Sequence, residues 1–373
     1  MNIGIIDADL IARKKHRFPN LALMKISGWH KELGDAVTLL TEWGRQDEYD
    51  KIYLSKVFTD TEVPEEVLTL PNLSYGGTGF YFDKAPNLPD EIEHHMPDYN
   101  LYNNWIDGEI VNANEIAIKQ GKTFDKKKFM VQFKEYTNYS IGFLTRGCFR
   151  KCAFCVNQKY DHVFKHSPLE EFYDPSRKKI CLLDDNFLGY SGWEDALLSL
   201  KETNKPFKFK QGLDARILTE KKCELLFSSK YDDHFTFAFD NIADYGLIEN
   251  KLQMIRKYTN KVCKFYVFCG FDRSNKWDDE FWYQDIIDVF IRVELLMKYK
   301  CVPYIMRFNR YVESPYKCMY INLARWCNQP SMFKKKSYEE FCAMQGSSIR
   351  CLEEFLATTS FKENYNHFIT MKY

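Results

Sequence analysis

Short apolar segments alternate with helical segments between residues 140 and 310, and this pattern limits the fold more than any other feature of the sequence. Six of the apolar segments have the length of buried strands. They are residues 141–144, 180–184, 207–211, 235–239, 265–268 and 303–308. Between them, apolar residues recur at the spacing of an amphipathic helix, as at Trp193, Leu197 and Leu200. Strands that alternate with helices predict a parallel sheet joined by right-handed crossovers.

Six repeats are fewer than a closed eight-stranded barrel requires, so the pattern favours an open or partial barrel. We therefore predict the α/β class, with a partial (β/α)6 barrel over residues 140–310. In a sheet of this kind, chemistry takes place at the carboxyl ends of the strands, where the βα loops converge.

The parts of the chain outside this repeat have their own patterns. Residues 1–100 predict a smaller α/β domain, in which Asn20 caps a helix that ends at Gly34. Its strands are predicted at residues 3–6, 36–40, 51–57 and 73–80. Residues 101–139 are polar and rich in lysine, which is typical of a linker or an ordered connection, and residues 311–373 predict a helical extension.

Charge and hydropathy exclude several classes of protein. The 373 residues carry 52 basic and 52 acidic side chains, so the net charge gives no indication of a dedicated polyanion binder. No apolar run approaches the ~18 residues of a membrane span. Asp7 and Asp9 interrupt the first apolar stretch before it could act as a signal peptide. We therefore predict a cytoplasmic protein that does not insert into a membrane.

The chain contains twelve cysteines, which we expect to be reduced because no secretion signal is evident. Most occur singly in apolar segments, where cysteine packs as a small hydrophobic residue. Cys148, Cys152 and Cys155 are different, because they lie close together directly after the first predicted barrel strand. Their CxxxCxxC spacing allows three thiolates to converge on one inorganic centre.

Three interpretations of these cysteines are open. In the first, they pack without a ligand. In the second, they bind a structural zinc ion, which needs four protein ligands and would have to add His162 or His166. In the third, they hold a cubane iron–sulfur cluster, which accepts three thiolates and leaves one iron open. We favour the cluster, because no fourth cysteine lies near and the open iron gives a substrate or cofactor a place to bind.

The run Thr145-Arg146-Gly147-Cys148, continued as CxxxCxxC after the first strand of a six-fold βα repeat, resembles the radical S-adenosylmethionine (radical SAM) superfamily. The resemblance covers residues 140–309 and is greatest to the branch whose members often carry an N-terminal cobalamin-binding-type domain. It implies a [4Fe–4S] cluster on Cys148, Cys152 and Cys155, with SAM chelated by the open iron. One electron would then cleave SAM to a 5′-deoxyadenosyl radical, which abstracts hydrogen from a substrate.

The resemblance also implies a set of SAM contacts. Phe154, before the third cysteine, matches the position that packs on adenine. The other candidates follow or lie on the later strands: Asp184, Asp185 and Asn186; Gln211, Asp214 and Arg216; Asp240 and Asn241; Phe271; and Met306. The glycine–glycine–glutamate sequence that is frequent in the family after the second strand is absent here.

Each of these candidates has an expected role and a plainer alternative. The groups after the second strand would accept from the SAM amine, and Arg216 would pair with the SAM carboxylate. Asp240 and Asn241 would reach the ribose, while Phe271 and Met306 would give adenine apolar walls. The alternatives are helix capping for the aspartates and asparagines, a surface ion pair for Arg216, and core packing for the two apolar residues.

Residues 1–100 resemble a cobalamin-binding-type, Rossmann-like domain in length and order. The family's Asp-x-His-x-x-Gly motif, whose histidine coordinates cobalt, does not occur in the sequence. Cobalamin is therefore possible but not favoured, and we predict a degenerate domain that keeps the fold without the ligand. The run Gly76-Gly77-Thr78-Gly79 would let backbone amides approach a phosphate, although a tight turn is the simpler interpretation.

We predict a radical SAM enzyme with an unknown substrate, which accepts electrons from a donor such as flavodoxin or ferredoxin. The alternatives are a cobalamin-dependent radical SAM C-methyltransferase and a non-catalytic iron–sulfur protein. A small molecule or a peptide is favoured over RNA as substrate, because no basic module follows residue 309. Four tail cysteines lack the tight pairs of a second cluster, so packed helical cysteines are favoured. They are Cys318, Cys327, Cys342 and Cys351.

Overall fold

The computed structural model describes residues 1–13 and 18–373. These residues form a mixed α/β protein that divides into two compact units. The first unit contains residues 1–185 and 198–210, and the second contains residues 186–197 and 211–373. These limits differ from the predicted domain boundaries at residues 100, 139 and 310, which stay predictions. In the described part of the chain, no helix combines the length and the apolar character needed to cross a bilayer.

The first unit begins with a four-stranded parallel sheet of order β2-β1-β3-β4. The strands and the first two helices are β1 (Asn2–Asp7), α1 (Ala8–Ala12), α2 (Leu21–Glu32), β2 (Ala36–Leu40), β3 (Lys51–Ser55) and β4 (Leu73–Gly76). Central β1 is almost wholly buried, because Ile5 lies between Leu39 on one neighbour and Tyr53 on the other. The predicted strands at residues 3–6, 36–40 and 51–57 are present, the last of them ending at Ser55.

Helix α2 starts and stops where the sequence predicts. The Asn20 side chain accepts a hydrogen bond from the N–H of Leu23, which caps the first turn. Gly34 follows the last turn with φ of +82°, a conformation that glycine adopts without strain. Leu23 and Met24 on the buried side of the helix pack into the same apolar cluster as Ile3 of β1.

One expectation for residues 73–139 needs correction. The predicted strand at 73–80 ends at Gly76, because Gly77 has φ of +104° and a short helix starts at Thr78. Residues 101–139 are largely helical, as an ordered connection would be, and Phe133 lies fully buried in the core beneath the first sheet. The helices between β3 and residue 139 are α3 (Glu65–Leu68), α4 (Thr78–Tyr81), α5 (Asp90–Glu93), α6 (Asn103–Lys119), α7 (Lys126–Met130) and α8 (Lys134–Thr137).

A second parallel sheet of the first unit has three strands in the order β5-β8-β9. The elements over residues 139–209 are β5 (Tyr139–Gly142), β6 (Thr145–Arg146), β7 (Phe164–Lys165), β8 (Lys179–Leu182), α9 (Trp193–Glu202), which the limit between the two units divides, and β9 (Phe207–Phe209). Strands β6 and β7 pair antiparallel and form a separate short ribbon. The central strand β8 carries Ile180 and Cys181 with no exposed surface, as a strand covered on both faces should.

The second unit holds a three-stranded parallel sheet of order β10-β11-β12. Its elements are α10 (Glu220–Phe227), β10 (Thr236–Ala238), α11 (Tyr245–Tyr258), β11 (Lys264–Cys269), α12 (Asp279–Lys298) and β12 (Val302–Arg307). All six strands predicted for residues 140–310 are therefore present, three in each unit. Their closure into one partial barrel stays a prediction.

The tail of the second unit is helical, as predicted. Its helices are α13 (Lys317–Cys327), α14 (Pro330–Phe333), α15 (Tyr338–Cys342), α16 (Gly346–Thr358) and α17 (Phe361–Thr370). Cys318 and Cys351 form a disulfide between α13 and α16, so the expectation of reduced thiols is wrong for this pair. The bond also removes two of the four sulfurs on which a second cluster would depend. Cys327 and Cys342 are buried and not disulfide-bonded.

Candidate functional site

The three clustered cysteines lie on the loop between β6 and β7, which we call the cysteine loop (residues 147–163). The antiparallel pair Arg146 and Phe164 closes the base of this loop. Cys148, Cys152 and Cys155 are all partly exposed, whereas seven other cysteines without a disulfide are buried. Partial exposure keeps the three sulfurs accessible to a ligand from outside.

Local backbone geometry explains the glycine before the first cysteine. Gly147 has φ of +90°, and a Cβ atom there would lie 2.3 Å from the carbonyl oxygen of His162. Any other residue would therefore both strain the backbone and collide with the far side of the loop. This glycine lets the two arms of the cysteine loop approach closely.

Main-chain N–H groups point at two of the three sulfurs. The N–H of Arg150 lies 3.3 Å from Sγ of Cys148, and the N–H of Asn157 lies 3.4 Å from Sγ of Cys155. Burial raises the pKa of the Cys155 thiol, and the nearby Cys152 and Cys148 raise it further. Cys148 and Cys152 thus lie close enough to oppose the ionisation of Cys155, which a bound cation would favour.

The donor set fits a cluster better than a single ion. Over residues 1–13 and 18–373, no three His, Cys, Asp or Glu side chains are arranged to hold one metal ion. His166 does not complete a zinc site, because its Nε2 lies 3.4 Å from Oε1 of Glu93 and its Nδ1 lies 3.0 Å from Oγ of Ser167. In a [4Fe–4S] cluster each thiolate binds a different iron, so the three sulfurs need not share one centre.

Asp184 follows β8 and is completely buried. Its carboxylate accepts from the N–H of Leu144 at 3.2 Å and from the N–H and hydroxyl of Thr145, both at 2.7 Å. Burial raises its pKa to about 7. Asp184 thus fixes the turn that leads from β5 into the cysteine loop, and its predicted contact with SAM stays a prediction.

Asp185 joins the two ends of the segment that carries the three cysteines. One oxygen accepts from the N–H of Gly147 at 2.8 Å, and the other accepts from Nδ2 of Asn157 at 2.7 Å. Arg146 adds a long ion pair at 3.9 Å. Sequence reasoning missed Asn157, and its only signal was an amide side chain two residues after the third cysteine.

In the second unit, Arg216 lies between two carboxylates. Its Nε is 2.7 Å from Oδ1 of Asp214, and its Nη1 is 3.2 Å from Oδ2 of Asp244. Asp214 also accepts from the main-chain N–H of Arg216 and caps the short turn that follows. Sequence reasoning missed Asp244. The ion-pair alternative for Arg216 describes this arrangement, since both edges of its guanidinium face protein carboxylates.

Asp240 follows β10 and sits beside an arginine that the sequence analysis did not identify. Burial raises its pKa to about 6, although the positive charge of Arg292 lowers it. The Arg292 side chain is 2% exposed and donates to the carbonyl oxygens of Phe239 and Phe268, at 3.1 and 2.8 Å. It therefore joins the carboxyl ends of β10 and β11. An arginine within the apolar part of α12 was its only sequence signal.

The remaining candidates have varied surroundings. Asn241 accepts from the N–H of Ala243, which is the capping alternative. Phe271 packs edge-on to Phe308 with ring centroids 4.9 Å apart. Three others differ mainly in exposure, since Met306 and Gln211 are exposed and Asn186 is buried. Phe154 is partly buried on the cysteine loop.

Side chains occupy the carboxyl edge of the first sheet, where a nucleotide-like ligand binds in Rossmann-like folds. Asp7 at the end of β1 is fully buried and accepts from the hydroxyl of Tyr102 at 2.8 Å. Asn20 donates to the hydroxyl of Ser55 at the end of β3. Burial raises the pKa of Asp7 to about 7.

The glycine run near this edge serves a close backbone contact. A Cβ atom on Gly77 would lie 2.3 Å from the carbonyl oxygen of Lys56, and one on Gly79 would lie 2.6 Å from that of Phe58. These glycines therefore let the turn after β4 pack on the chain after β3. A tight turn accounts for them without a phosphate.

Comparison with known proteins adds little to this geometry. No protein-family model matches the chain, and no curated protein matches it in sequence. A solved structure of a radical S-adenosylmethionine methyltransferase, TsrM from Kitasatospora setae, with cobalamin and a [4Fe–4S] cluster bound, matches at a TM-score of 0.49 and 12% identity. The match covers 82% of this chain and 72% of that one. A likeness of this degree carries no conclusion about the reaction, and it gives no support to the expectation against cobalamin.

Proposed function

We propose that the protein is a radical SAM enzyme in which Cys148, Cys152 and Cys155 hold a [4Fe–4S] cluster. The observation that carries the proposal is the placement of these three cysteines on one closed, partly exposed loop. The bound cluster and SAM would supply a 5′-deoxyadenosyl radical, which abstracts hydrogen from the substrate. A cluster held by three cysteines leaves one iron for a small-molecule ligand, which a purely structural site does not need.

The protein's own contribution at this loop is to position the sulfurs. Asp185 ties Gly147 to Asn157, so the segment that carries all three cysteines starts and ends at one carboxylate. Asp184 holds the preceding turn through Thr145. We propose that both aspartates act as positioning residues for the cluster ligands, in place of the direct SAM contacts expected from the sequence.

Candidates for SAM binding remain in both units and are proposals. Phe154 lies on the cysteine loop beside Cys155 and offers an aromatic face for adenine. Arg216 carries a positive charge suited to the SAM carboxylate, although Asp214 already binds its Nε and Nη2, so SAM would have to compete with Asp214 or Asp244. Asp240 is a hydrogen-bond acceptor suited to ribose hydroxyls.

The distribution of charge along the sequence is the basis for proposing a substrate class. The chain has no net charge and no basic module after residue 309, so we propose a small molecule or a peptide in preference to RNA. A one-electron donor of the flavodoxin or ferredoxin kind completes the proposed system.

The experiment that tests this proposal is anaerobic reconstitution of the full chain with iron and sulfide, followed by SAM and dithionite. We expect about four irons per chain, visible charge-transfer absorption and release of 5′-deoxyadenosine. Cys148→Ala, Cys152→Ala and Cys155→Ala should each abolish the absorption and the 5′-deoxyadenosine. Cys223→Ala, which changes a buried cysteine of the second unit, should leave both unchanged.

Two outcomes would reject the proposal. A cysteine-loop variant that keeps four irons and full SAM cleavage would show that the cluster lies elsewhere. A normal cluster in the wild type without SAM binding or cleavage would favour the non-catalytic iron–sulfur protein. S-adenosylhomocysteine formed beside 5′-deoxyadenosine, together with a bound corrinoid, would move the reaction to methyl transfer.

A further inference from the structure

Two cysteines outside the cysteine loop lie side by side at the amino-terminal edge of the sheet in the second unit. Cys263 directly precedes β11, and Cys301 directly precedes β12. The first paired residues of these strands are Lys264 and Val302, and the N–H of Val302 donates to the carbonyl oxygen of Cys263 at 2.9 Å. The two cysteines are therefore neighbours across parallel strands. Neither has any exposed surface.

An arginine on α11 makes the two sulfurs unequal. The guanidinium of Arg256 has five N–H groups to satisfy. It donates to the carbonyl oxygens of Tyr299 (2.7 Å), Thr259 (2.9 Å), Lys261 (2.9 Å) and Lys300 (3.2 Å). Its remaining contact is from Nη2 to Sγ of Cys301 at 3.1 Å. The carbonyl contacts hold the guanidinium in place against one sulfur of the pair.

The charge of Arg256 needs a negative partner. An arginine in a protein stays protonated, and none of the hydrogen-bond acceptors of Arg256 among the described residues is a carboxylate. The sulfur of Cys301 is the only one of these acceptors that can ionise. A hydrogen bond from Cys263 and the charge of Arg256 lower the pKa of Cys301, while the same hydrogen bond and burial raise the pKa of Cys263.

We propose that Cys301 and Cys263 form a redox-active dithiol, with Cys301 as the nucleophile and Cys263 as the resolving thiol. The oxidant is a small hydroperoxide. The Cys301 thiolate attacks the peroxide and forms a sulfenic acid, and the leaving oxygen departs with a proton as water or alcohol. The Cys263 thiol then attacks the sulfenic sulfur, forms a disulfide and releases water. The two thiols lose two electrons and two protons, and the O–O bond is reduced.

Tyr373 lies near this pair. Its ring centroid lies 5.8 Å from Nζ of Lys300 and 5.5 Å from Nζ of Lys334. Its hydroxyl is buried and has no hydrogen-bond partner in the part of the chain that the structure describes. Burial raises the pKa of Tyr373, and the adjacent Cys301 raises it further. Because neither cysteine has exposed surface, a small oxidant can reach the sulfurs where a protein disulfide cannot, and the proposal therefore names a hydroperoxide.

The test uses the full chain in the Cys148→Ala background, so that iron chemistry at the cysteine loop cannot generate the product. The protein is reduced, desalted anaerobically, treated with hydrogen peroxide, alkylated with iodoacetamide, digested and analysed by mass spectrometry. We expect a disulfide that links the peptides of Cys263 and Cys301. Cys223, which is buried alone and whose pKa burial raises to about 11, should stay reduced.

Variants separate the roles of the residues. Cys263→Ser should stop the reaction at a sulfenic acid on Cys301 that dimedone traps, and Cys301→Ser should leave Cys263 reduced. Arg256→Gln should slow the linkage about tenfold or more, because the thiolate loses its positive neighbour. These readouts do not involve SAM cleavage. The dithiol proposal can therefore hold even if the proposed radical SAM function is rejected.

Two results would overturn the proposal. One is a Cys263–Cys301 linkage that forms no faster than random cross-links involving Cys223. The other is an unchanged rate in Arg256→Gln. If that variant does not fold, the pH dependence of the wild-type rate replaces it: a half-maximal rate at a pH above ~8.5, the ordinary value for a thiol, would contradict a stabilised thiolate.

Discussion

In the first unit, Asp185 at the end of β8 receives hydrogen bonds from a main-chain N–H and an amide, whereas in the second unit Asp214 receives them from the guanidinium of Arg216. Both aspartates follow a buried strand, and the sequence predicts the same kind of ligand contact for each. Their partners differ because a loop returns over the end of β8, while a short turn after Asp214 brings back its own arginine. An acidic residue at a strand end therefore indicates a ligand only when the protein leaves its oxygens unused.

Asp185→Ala tests the first half of this comparison and has the largest expected effect. The change removes two hydrogen bonds to a charged acceptor, each worth ~1.5–3 kcal/mol, so the ends of the loop should separate. We expect the iron content after anaerobic reconstitution to fall to a small fraction of the wild-type value. The measurement is iron per chain, together with visible absorption.

A matched control for this change lies on the same loop. Asp161 is highly exposed and pairs only with Lys151 at the surface, so Asp161→Ala should keep the wild-type iron content. Equal iron in Asp185→Ala and Asp161→Ala would reject the positioning role of Asp185 and restore it as a candidate SAM contact.

Arg216→Ala tests the second half of the comparison, and its expected effect is smaller. If the guanidinium binds the SAM carboxylate, SAM affinity should weaken by ~1.5–3 kcal/mol while the iron content stays the same. Equilibrium binding to the reconstituted protein measures this. Arg310→Ala, which changes an exposed arginine paired with Glu313, is the control. A lower melting temperature with unchanged SAM affinity would make Arg216 a structural ion-pair residue.

The pH dependence of stability gives the smallest expected effect. Burial raises the pKa of Asp184 to about 7 and that of Asp240 to about 6, so the folded state binds these protons more tightly than the unfolded state, in which the value is ~4. Their contribution to the free energy of unfolding is present below pH ~4 and is lost as the pH rises through the folded values. The free energy of unfolding measured with urea should therefore decline between pH 4.5 and pH 8.

Single variants assign this decline to one unit or the other. Asp184→Asn should make the free energy of unfolding depend less steeply on pH up to about pH 7, and Asp240→Asn should do so up to about pH 6. This holds whatever the effect of each variant on absolute stability. The slope is the readout, because one asparagine oxygen cannot replace both carboxylate oxygens of Asp184. A slope unchanged in both variants would show that neither buried carboxyl titrates in this range.

Local patterns predicted the features that depend on neighbouring residues. The apolar runs predicted the barrel-region strands, and Asn20 and Gly34 predicted both ends of α2. The partners of Asp185 and the disulfide between Cys318 and Cys351 were not predictable in this way. They join residues from separate segments, and a single sequence does not show which segments lie close together in the fold.

For the same reason, the sequence did not predict the role of a buried arginine in the second unit. Arg292 looks like an ordinary helix residue in the sequence, yet it donates to the carbonyl oxygens that end two neighbouring strands. Its role depends on how α12 packs on the sheet. Burial of a charged group is thus a structural finding that a single sequence does not reveal.

The carboxylate that joins Gly147 to Asn157 has a consequence for how the proposed cluster would assemble. The hydrogen bonds that hold the ends of this loop together reduce its conformational entropy before iron binds. Less of the binding free energy is then spent on ordering the chain, so an iron–sulfur unit delivered at low concentration would be captured sooner. Asp185 would therefore also act on the rate of cluster assembly, and iron uptake followed over minutes would show this as slower uptake in Asp185→Ala.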